Sequence, residues 1–155
     1  MNWHLKSFNE LNIDELYQIL KLRIDIFVVE QASIYSDLDN KDRQAGILHL
    51  FAEEQGQVMA YLRLLPPEVS YPDMSSLGRV VIHLDARGMG LGHELLKCAI
   101  AIIDEQWPTN TCHISAQTHL QSFYNQHGFY AVGEGYLEDG IPHIGMERAA
   151  AKVNE

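Results

Sequence analysis

The sequence predicts an α+β domain built on a mixed, mostly antiparallel sheet, and three observations carry that prediction. A β-branched run, Val80-Val81-Ile82, leads into the alternating glycines Gly88, Gly90 and Gly92, and an amphipathic helix follows directly. Two apolar runs, 47–54 and 57–65, flank Gln55-Gly56, which reads as a hairpin. The pattern along the chain is β-α-ββ-β-α-β-α-ββ, with a helix crossing between the fourth and fifth strands, so those two run parallel and the others antiparallel.

Residues 3–8 form a short first strand. Asn12 is placed as an N-cap, with Asp14 and Glu15 in the first turn, where acids favour the helix dipole. Ile13, Leu16, Tyr17, Leu20, Ile24, Phe27 and Val28 recur at helical spacing, which predicts a helix over 13–30, continuous or broken once. The polar, acidic stretch 31–46, with Asp37, Asp39 and Asp42, is a loop long enough to bind substrate and is expected to receive a cationic acceptor. After the hairpin, Pro66, Pro67 and Pro72 mark a second loop. A strand over 78–84, the glycine loop and a helix over 91–106 follow, stopped by Pro108. Residues 111–116 are a strand, and Thr118-x-x-Gln121 has the spacing of a capping box for a helix that ends at Gly128, with Phe129 closing it hydrophobically. Strands over 129–133 and 143–148 complete the domain, joined through 134–142. The domain is assigned to 1–148, and 149–155 is a tail expected to fray.

At 155 residues and 46% hydrophobic content, the chain is long enough for one domain with a true core. No apolar run is long enough to span a membrane, and the N-terminal region lacks the apolar segment of a signal peptide. Cys98 and Cys112 fall in predicted core elements and read as buried thiols of a cytoplasmic protein. A net charge of −10 argues against nucleic-acid binding, suits attraction of a cationic amine and equally serves solubility.

A strand, a glycine turn and a helix N-terminus make a cradle for phosphate, because glycine lets backbone N–H groups close on an anion. The same pattern also serves as a plain turn between strand and helix. Two familiar phosphate loops are excluded, since both need a glycine where His93 stands, and no Lys-Ser/Thr pair follows. Arg87, Gly90 and Gly92 instead spell Arg-x-x-Gly-x-Gly, which resembles the acetyl-CoA loop of the GNAT N-acetyltransferases. Gln117, Tyr124, Gly128 and Phe129 extend the likeness, for that family commonly reads Asn-x-x-Ala-x-x-x-Tyr-x-x-x-Gly-Phe there; Gln117 replaces the Asn and Leu120 the Ala. The stretches Phe27–Gln31, Ser115–Gln121 and Tyr136–His143 are similar to the ElaA-type branch. The resemblance covers roughly the whole chain. It implies a GNAT-like α+β fold with helices on both faces of the sheet, and acetyl-CoA as cosubstrate.

It also implies how the cosubstrate is held. Arg87, Gly88, Met89, Gly90, Leu91 and Gly92 would take its pyrophosphate with the helix dipole, Val80, Val81 and Ile82 its amide-bearing arm, and Gln117 and Tyr124 further contacts. No metal set is assigned. An alkylamine acceptor of pKa ~10.4 is only ~1 part in 2,500 neutral at pH 7, a penalty of ~4–5 kcal/mol, so a base is needed. His83, His143, His49, His119, Glu30 and Glu138 are the candidates, with His83 and His143 ranked first. The leaving thiolate needs a proton or a hydrogen bond, a role that the family pattern assigns to Tyr124. The acceptor is a small-molecule or protein amine, and a homodimer is left open. The competing readings are a non-catalytic acyl-CoA-binding module and an interaction domain with a plain glycine turn.

Overall fold

Two type I′-like turns explain most of the sheet. Gln55-Gly56 and Asp139-Gly140 both have positive φ at each position (52° and 77°; 50° and 77°), the geometry that matches strand twist in a tight hairpin. The first joins β2 (Leu48–Glu54) to β3 (Gln57–Leu65), and the second joins β6 (Tyr130–Glu138) to β7 (Ile141–Arg148). With β1 (Asn2–Lys6), β4 (Ser76–Ile82) and β5 (Cys112–Gln117), they form two antiparallel sheets, ordered β1-β2-β3-β4 and β5-β7-β6. The computed structural model describes residues 1–152.

The two sheets meet at one parallel bridge, Ser75 to Cys112. There the Ser75 N–H donates to the Thr111 carbonyl at 3.1 Å and the His113 N–H to the Ser75 carbonyl at 2.9 Å. Beyond that point β4 and β5, expected as parallel neighbours, part company.

Helices cover both faces, as the sequence predicts. The first helix, α1 (Ile13–Arg23), starts at Asn12, whose side chain accepts from the Glu15 N–H at 2.7 Å while the Glu15 carboxylate accepts from the Asn12 N–H at 3.0 Å. It continues as a π-helical segment, Ile24–Glu30, so the predicted 13–30 helix changes winding rather than ending. Ile19, Leu22 and Ile26 pack with Phe51, Val58, Tyr61 and Val81 on one face. On the other, α2 (Leu91–Gln106) buries Leu91, Leu95, Leu96, Ala99 and Ile103 against Leu50, Ala52, Ala60, Leu62 and Leu64. The alternation of Ala60, Tyr61 and Leu62 between these cores is the period-two signature of a strand covered on both sides.

Several expectations are corrected. No side-chain cap forms at Thr118: a 3-10 turn, Thr118–Leu120, precedes the short α3 (Gln121–Asn125). Residues 134–138 are strand rather than connection, because the Asp139-Gly140 turn lets β6 and β7 pair almost to the hairpin tip. Cys98 is only half-buried, whereas Cys112 is buried and its thiol is pushed up to about 12 by that burial. Of the expected tail, 149–152 leave the sheet and the Lys152 N–H donates to the Pro108 carbonyl; 153–155 lie outside the described residues.

The loop 31–46 is corrected most. Its aspartates do not await a cation, because three arginines already hold them. Arg23, fully buried, reaches Asp37 at 2.9 Å and Asp42 at 2.8 Å. Arg63 reaches Asp42 at 3.0 Å and Asp39 at 2.8 Å. Arg79 reaches Asp37 at 3.0 Å and Asp39 at 3.4 Å. Arg79 also has φ +52° and, with Val80, stands opposite Leu62 where the β3–β4 register steps from Tyr61–Val81 to Arg63–Gly78. It is therefore the bulge that turns β4 away from β5. A positive φ costs a non-glycine residue about 1–2 kcal/mol, and the Asp37 and Asp39 contacts offset it.

Burial pushes the Asp42 carboxyl up, but the Arg23 hydrogen bond and the charges of Arg23 and Arg63 outweigh this and hold it below the ordinary aspartate value. Asp39 is likewise held low by Arg63 and Arg79 against its own desolvation. Their stabilisation is complete above the unfolded-state value near pH ~4 and is lost as pH falls through the lower folded values. Urea denaturation should show stability falling below about pH 4. Asp42→Asn, which leaves two buried guanidinium groups short of an anion, should cost about 3–5 kcal/mol at neutral pH.

Candidate active site

Where β4 and β5 diverge they leave a cavity of about 260 Å³. Its walls include Gly78, Arg79 and Val80 of β4, Ser115 and Gln117 of β5, and Tyr124 of α3. The β6–β7 hairpin contributes Glu138, Asp139 and His143.

The rim of β4 is an unpaired sheet edge. The His83 N–H donates to the Met59 carbonyl at 2.8 Å, and antiparallel alternation then turns the N–H and C=O of Ile82 away from β3 towards the cleft. Val80 and Ile82 pack into the core under α2 and Val81 into the core under α1, so the strand is anchored while its edge stays open. Such an edge can pair with an extended, amide-bearing ligand.

The glycine loop follows a 3-10 turn, Leu84–Ala86. Gly88 and Gly90 have φ +80° and +75°, and a Cβ at either would meet nothing within 4 Å, so backbone conformation rather than crowding calls for glycine. Gly92 differs: its Cβ would sit 3.4 Å from the Phe123 ring, in the seam between α2 and α3. The first intrahelical bond of α2 runs from the Glu94 N–H to the Gly90 carbonyl, which leaves the N–H groups of Leu91, Gly92 and His93 without helical acceptors. With exposed Met89 they form an anion-ready helix start. Arg87 clamps Glu30 with two hydrogen bonds, of 2.6 and 3.0 Å, and both groups are exposed. Glu30 is thus tied to the loop and lies outside the cavity lining.

The candidate bases separate by position. His83 does not line the cavity: its Nδ1 accepts from the Asp85 N–H at 3.0 Å and its Nε2 lies 3.0 Å from the Gln57 side-chain amide, on the α1 side of the sheet. The strand end that put it near the reacting centre in sequence turns its ring into a cap for the next turn. His49 is buried behind the arginine cluster. Its Nε2–H donates to the Asp42 carbonyl at 3.0 Å, its Nδ1 accepts from the Tyr61 hydroxyl at 2.7 Å, and burial pushes its pKa down. His119 is exposed and lines no part of the cavity.

His143 and Glu138 do meet in the cavity. The His143 Nδ1–H donates to the Ile141 carbonyl at 2.7 Å, which leaves Nε2 facing Glu138 Oε2 at 3.3 Å. His143 is 7% exposed and stacks on Tyr136. The Ser115 hydroxyl donates to Glu138 Oε1 at 3.2 Å and is hydrogen-bonded to the Tyr136 hydroxyl. Tyr124, 5% exposed, lines the same cavity, and burial raises its pKa so that it stays a phenol well above neutral pH. The Gln117 amide donates to Gln31 at 3.2 Å, tying the end of β5 to the end of the π-helical segment.

Ser115, Tyr136 and Gln31 were not singled out as site residues from sequence. Ser115 and Gln117 alternate on one face of β5, and Tyr136 and Glu138 on one face of β6, a period-two signal usable only once 134–138 is recognised as strand.

Residues 24–150 match the family model described as the acetyltransferase (GNAT) domain. Protein ElaA of Escherichia coli (strain K12) is 36% identical over 148 residues, covering 96% of each chain. The crystal structure of Escherichia coli ElaA aligns at a TM-score of 0.89 and 35% identity, over 96% of this chain and 99% of that one. The crystal structure of an acyl-CoA N-acyltransferase from Pseudomonas aeruginosa aligns at a TM-score of 0.90 and 45% identity, over 96% of this chain and all of that one. By sequence match and by a fold shared over nearly its whole length, the chain belongs to the GNAT acetyltransferase family.

Proposed function

We propose that this protein transfers an acetyl group from acetyl-CoA to a primary amine by direct attack, with Tyr124 protonating the leaving thiolate and the Glu138–His143 pair receiving the amine's proton. The observation that carries this reading is that Tyr124, Glu138 and His143 line one cavity beside the open edge of β4. The residues present fit an acyl-CoA. A pyrophosphate suits the free N–H groups at the start of α2, and an amide-bearing arm suits the Ile82 edge. Arg87 joins the phosphate contact by exchanging one anion for another, which is cheap because its pair with Glu30 is exposed. Bound acetyl-CoA supplies a thioester carbonyl open to attack and a thiol as leaving group.

The chain's own groups divide the proton work. Glu138 attracts an ammonium into the cavity, and His143 Nε2, fixed by the Ile141 carbonyl, is the acceptor nitrogen beside it. The Ser115 hydroxyl, itself hydrogen-bonded to the Tyr136 hydroxyl, holds the Glu138 carboxylate in place. Tyr124 stays protonated because burial disfavours its phenolate, so it can offer its O–H to the thiolate but cannot serve as the amine's base. His83, facing the other side of the sheet, has no part in this scheme.

Tyr124→Phe should lower kcat by about 10²-fold or more with little change in KM for acetyl-CoA, read from steady-state thiol release. An unchanged kcat would remove Tyr124 from the chemistry. Since burial raises the phenol's pKa, its donor form persists past its ordinary value, and wild-type kcat should stay level from about pH 8 to about pH 10. An alkaline loss of rate with a midpoint under about 10, absent from Tyr124→Phe, would contradict that assignment.

A further inference from the structure

The cavity holds charges that the arginine–aspartate cluster does not neutralise, and they sit on different elements. Arg23, Arg63 and Arg79 close on Asp37, Asp39 and Asp42, three cations against three anions. Lys41 stands apart. It lines the cavity from a 3-10 turn, Lys41–Arg43, with its Nζ 2.9 Å from Ser70 Oγ, and among the described residues it has no carboxylate partner. Its backbone N–H donates to Asp39 at 3.1 Å, and Asp39 also takes the Arg63 guanidinium, so Lys41 and Arg63 are neighbours. Arg63 is buried and lines the cavity, yet among the described residues its Nε–H has no acceptor. At the β6–β7 hairpin the cavity is lined by Glu138, whose ion-pair partner among the described residues is His143 and which also accepts from the Ser115 hydroxyl, and by Asp139, which has no cation partner among the described residues.

We infer that the acceptor is an amine that also carries a carboxylate: its anion is held by Lys41 and Ser70 while its amine meets Glu138. This rests on the proposed transferase reading for the role of the amine. The alternatives fit the charges less well. A plain alkylamine leaves the half-buried Lys41 facing no anion. A diamine adds a cation beside Lys41 and Arg63, which like-charge repulsion disfavours. A phosphoryl dianion calls for more than one free cation, and Arg63 and Arg79 are committed to aspartates. One ammonium and one hydroxyl suit the two oxygens of a carboxylate.

The test is calorimetric titration of the CoA-saturated protein with amino acids from glycine to 6-aminohexanoate, and with the n-alkylamines and α,ω-diamines of matching length. One of the amino acids should bind at least about tenfold more tightly than its matched amine and diamine. Lys41→Met should abolish that preference and Lys41→Arg retain it, both binding CoA like wild type, which also reports that they fold. Equal or tighter binding of the amine or diamine, a preference that survives Lys41→Met, or no binding of any amino acid would overturn the inference. Turnover with acetyl-CoA over the same set separates the two readings. Lys41-dependent binding of an amino acid with no acetylation of any amine would sink the transferase proposal and leave the site standing. Acetylation of amines with no carboxylate preference would do the reverse.

Discussion

A fully buried guanidinium, that of Arg23, is the constraint around which the rest of this molecule is arranged. Taking such a charge out of water costs several kcal/mol, and only well-placed anions offset it. Asp37 and Asp42 supply them, which draws the segment 31–46 down onto α1 and the sheet. Arg63 and Arg79 complete the charge balance from β3 and β4. Arg79, which reaches Asp37 and Asp39, has a left-handed backbone, and β4 bulges there. The bulge is what keeps β4 and β5 from zipping up beyond Ser75, and the cleft exists because they do not.

The cleft therefore carries an uncommon kind of binding potential. A sheet split in two leaves backbone donors and acceptors unpaired along an inner edge, and these satisfy an extended ligand without any change of fold. A glycine-conformed helix start lies at one end of the edge, and the Glu138–His143 pair sits across the cavity. In the proposed reading, phosphate recognition, alignment of the arm and proton transfer fall on three elements, α2, β4 and the β6–β7 hairpin. GNAT membership supports acyl-CoA binding in general.

Much of this was legible in the sequence where local chemistry decides. Helix 91–106 has the predicted boundaries because Gly90 starts it and Pro108 follows it; Gln55-Gly56 makes the predicted hairpin, and the left-handed Gly128 ends α3 with Phe129 buried beside it. Tyr124, Gln117, Glu138 and His143 come to the cavity. What escaped was non-local. The aspartates of 31–46 look like a lure for an amine until the distant Arg23, Arg63 and Arg79 are seen to hold them. His83 follows the right strand, yet its ring caps the next turn, an orientation that no periodicity marks. The Asp139-Gly140 turn was visible as a pair of residues, but Gly133, Gly135 and Pro142 weaken the strand pattern around it, so the true length of β6 and the alignment of Tyr136 with Ser115 did not emerge.

The central claim is that the left-handed glycine turn and the open β4 edge together hold an acyl-CoA. Thermal unfolding with and without acetyl-CoA, in the wild type and in Gly90→Glu, tests it most directly. At about 100 times Kd the ligand should stabilise the wild type by about 2.7 kcal/mol, a rise in Tm of several degrees. Gly90→Glu, with a strained left-handed glutamate and a carboxylate at the helix start, should remain folded by circular dichroism and lose the shift. An equal shift in the variant, or none in the wild type at millimolar acetyl-CoA, would contradict the account.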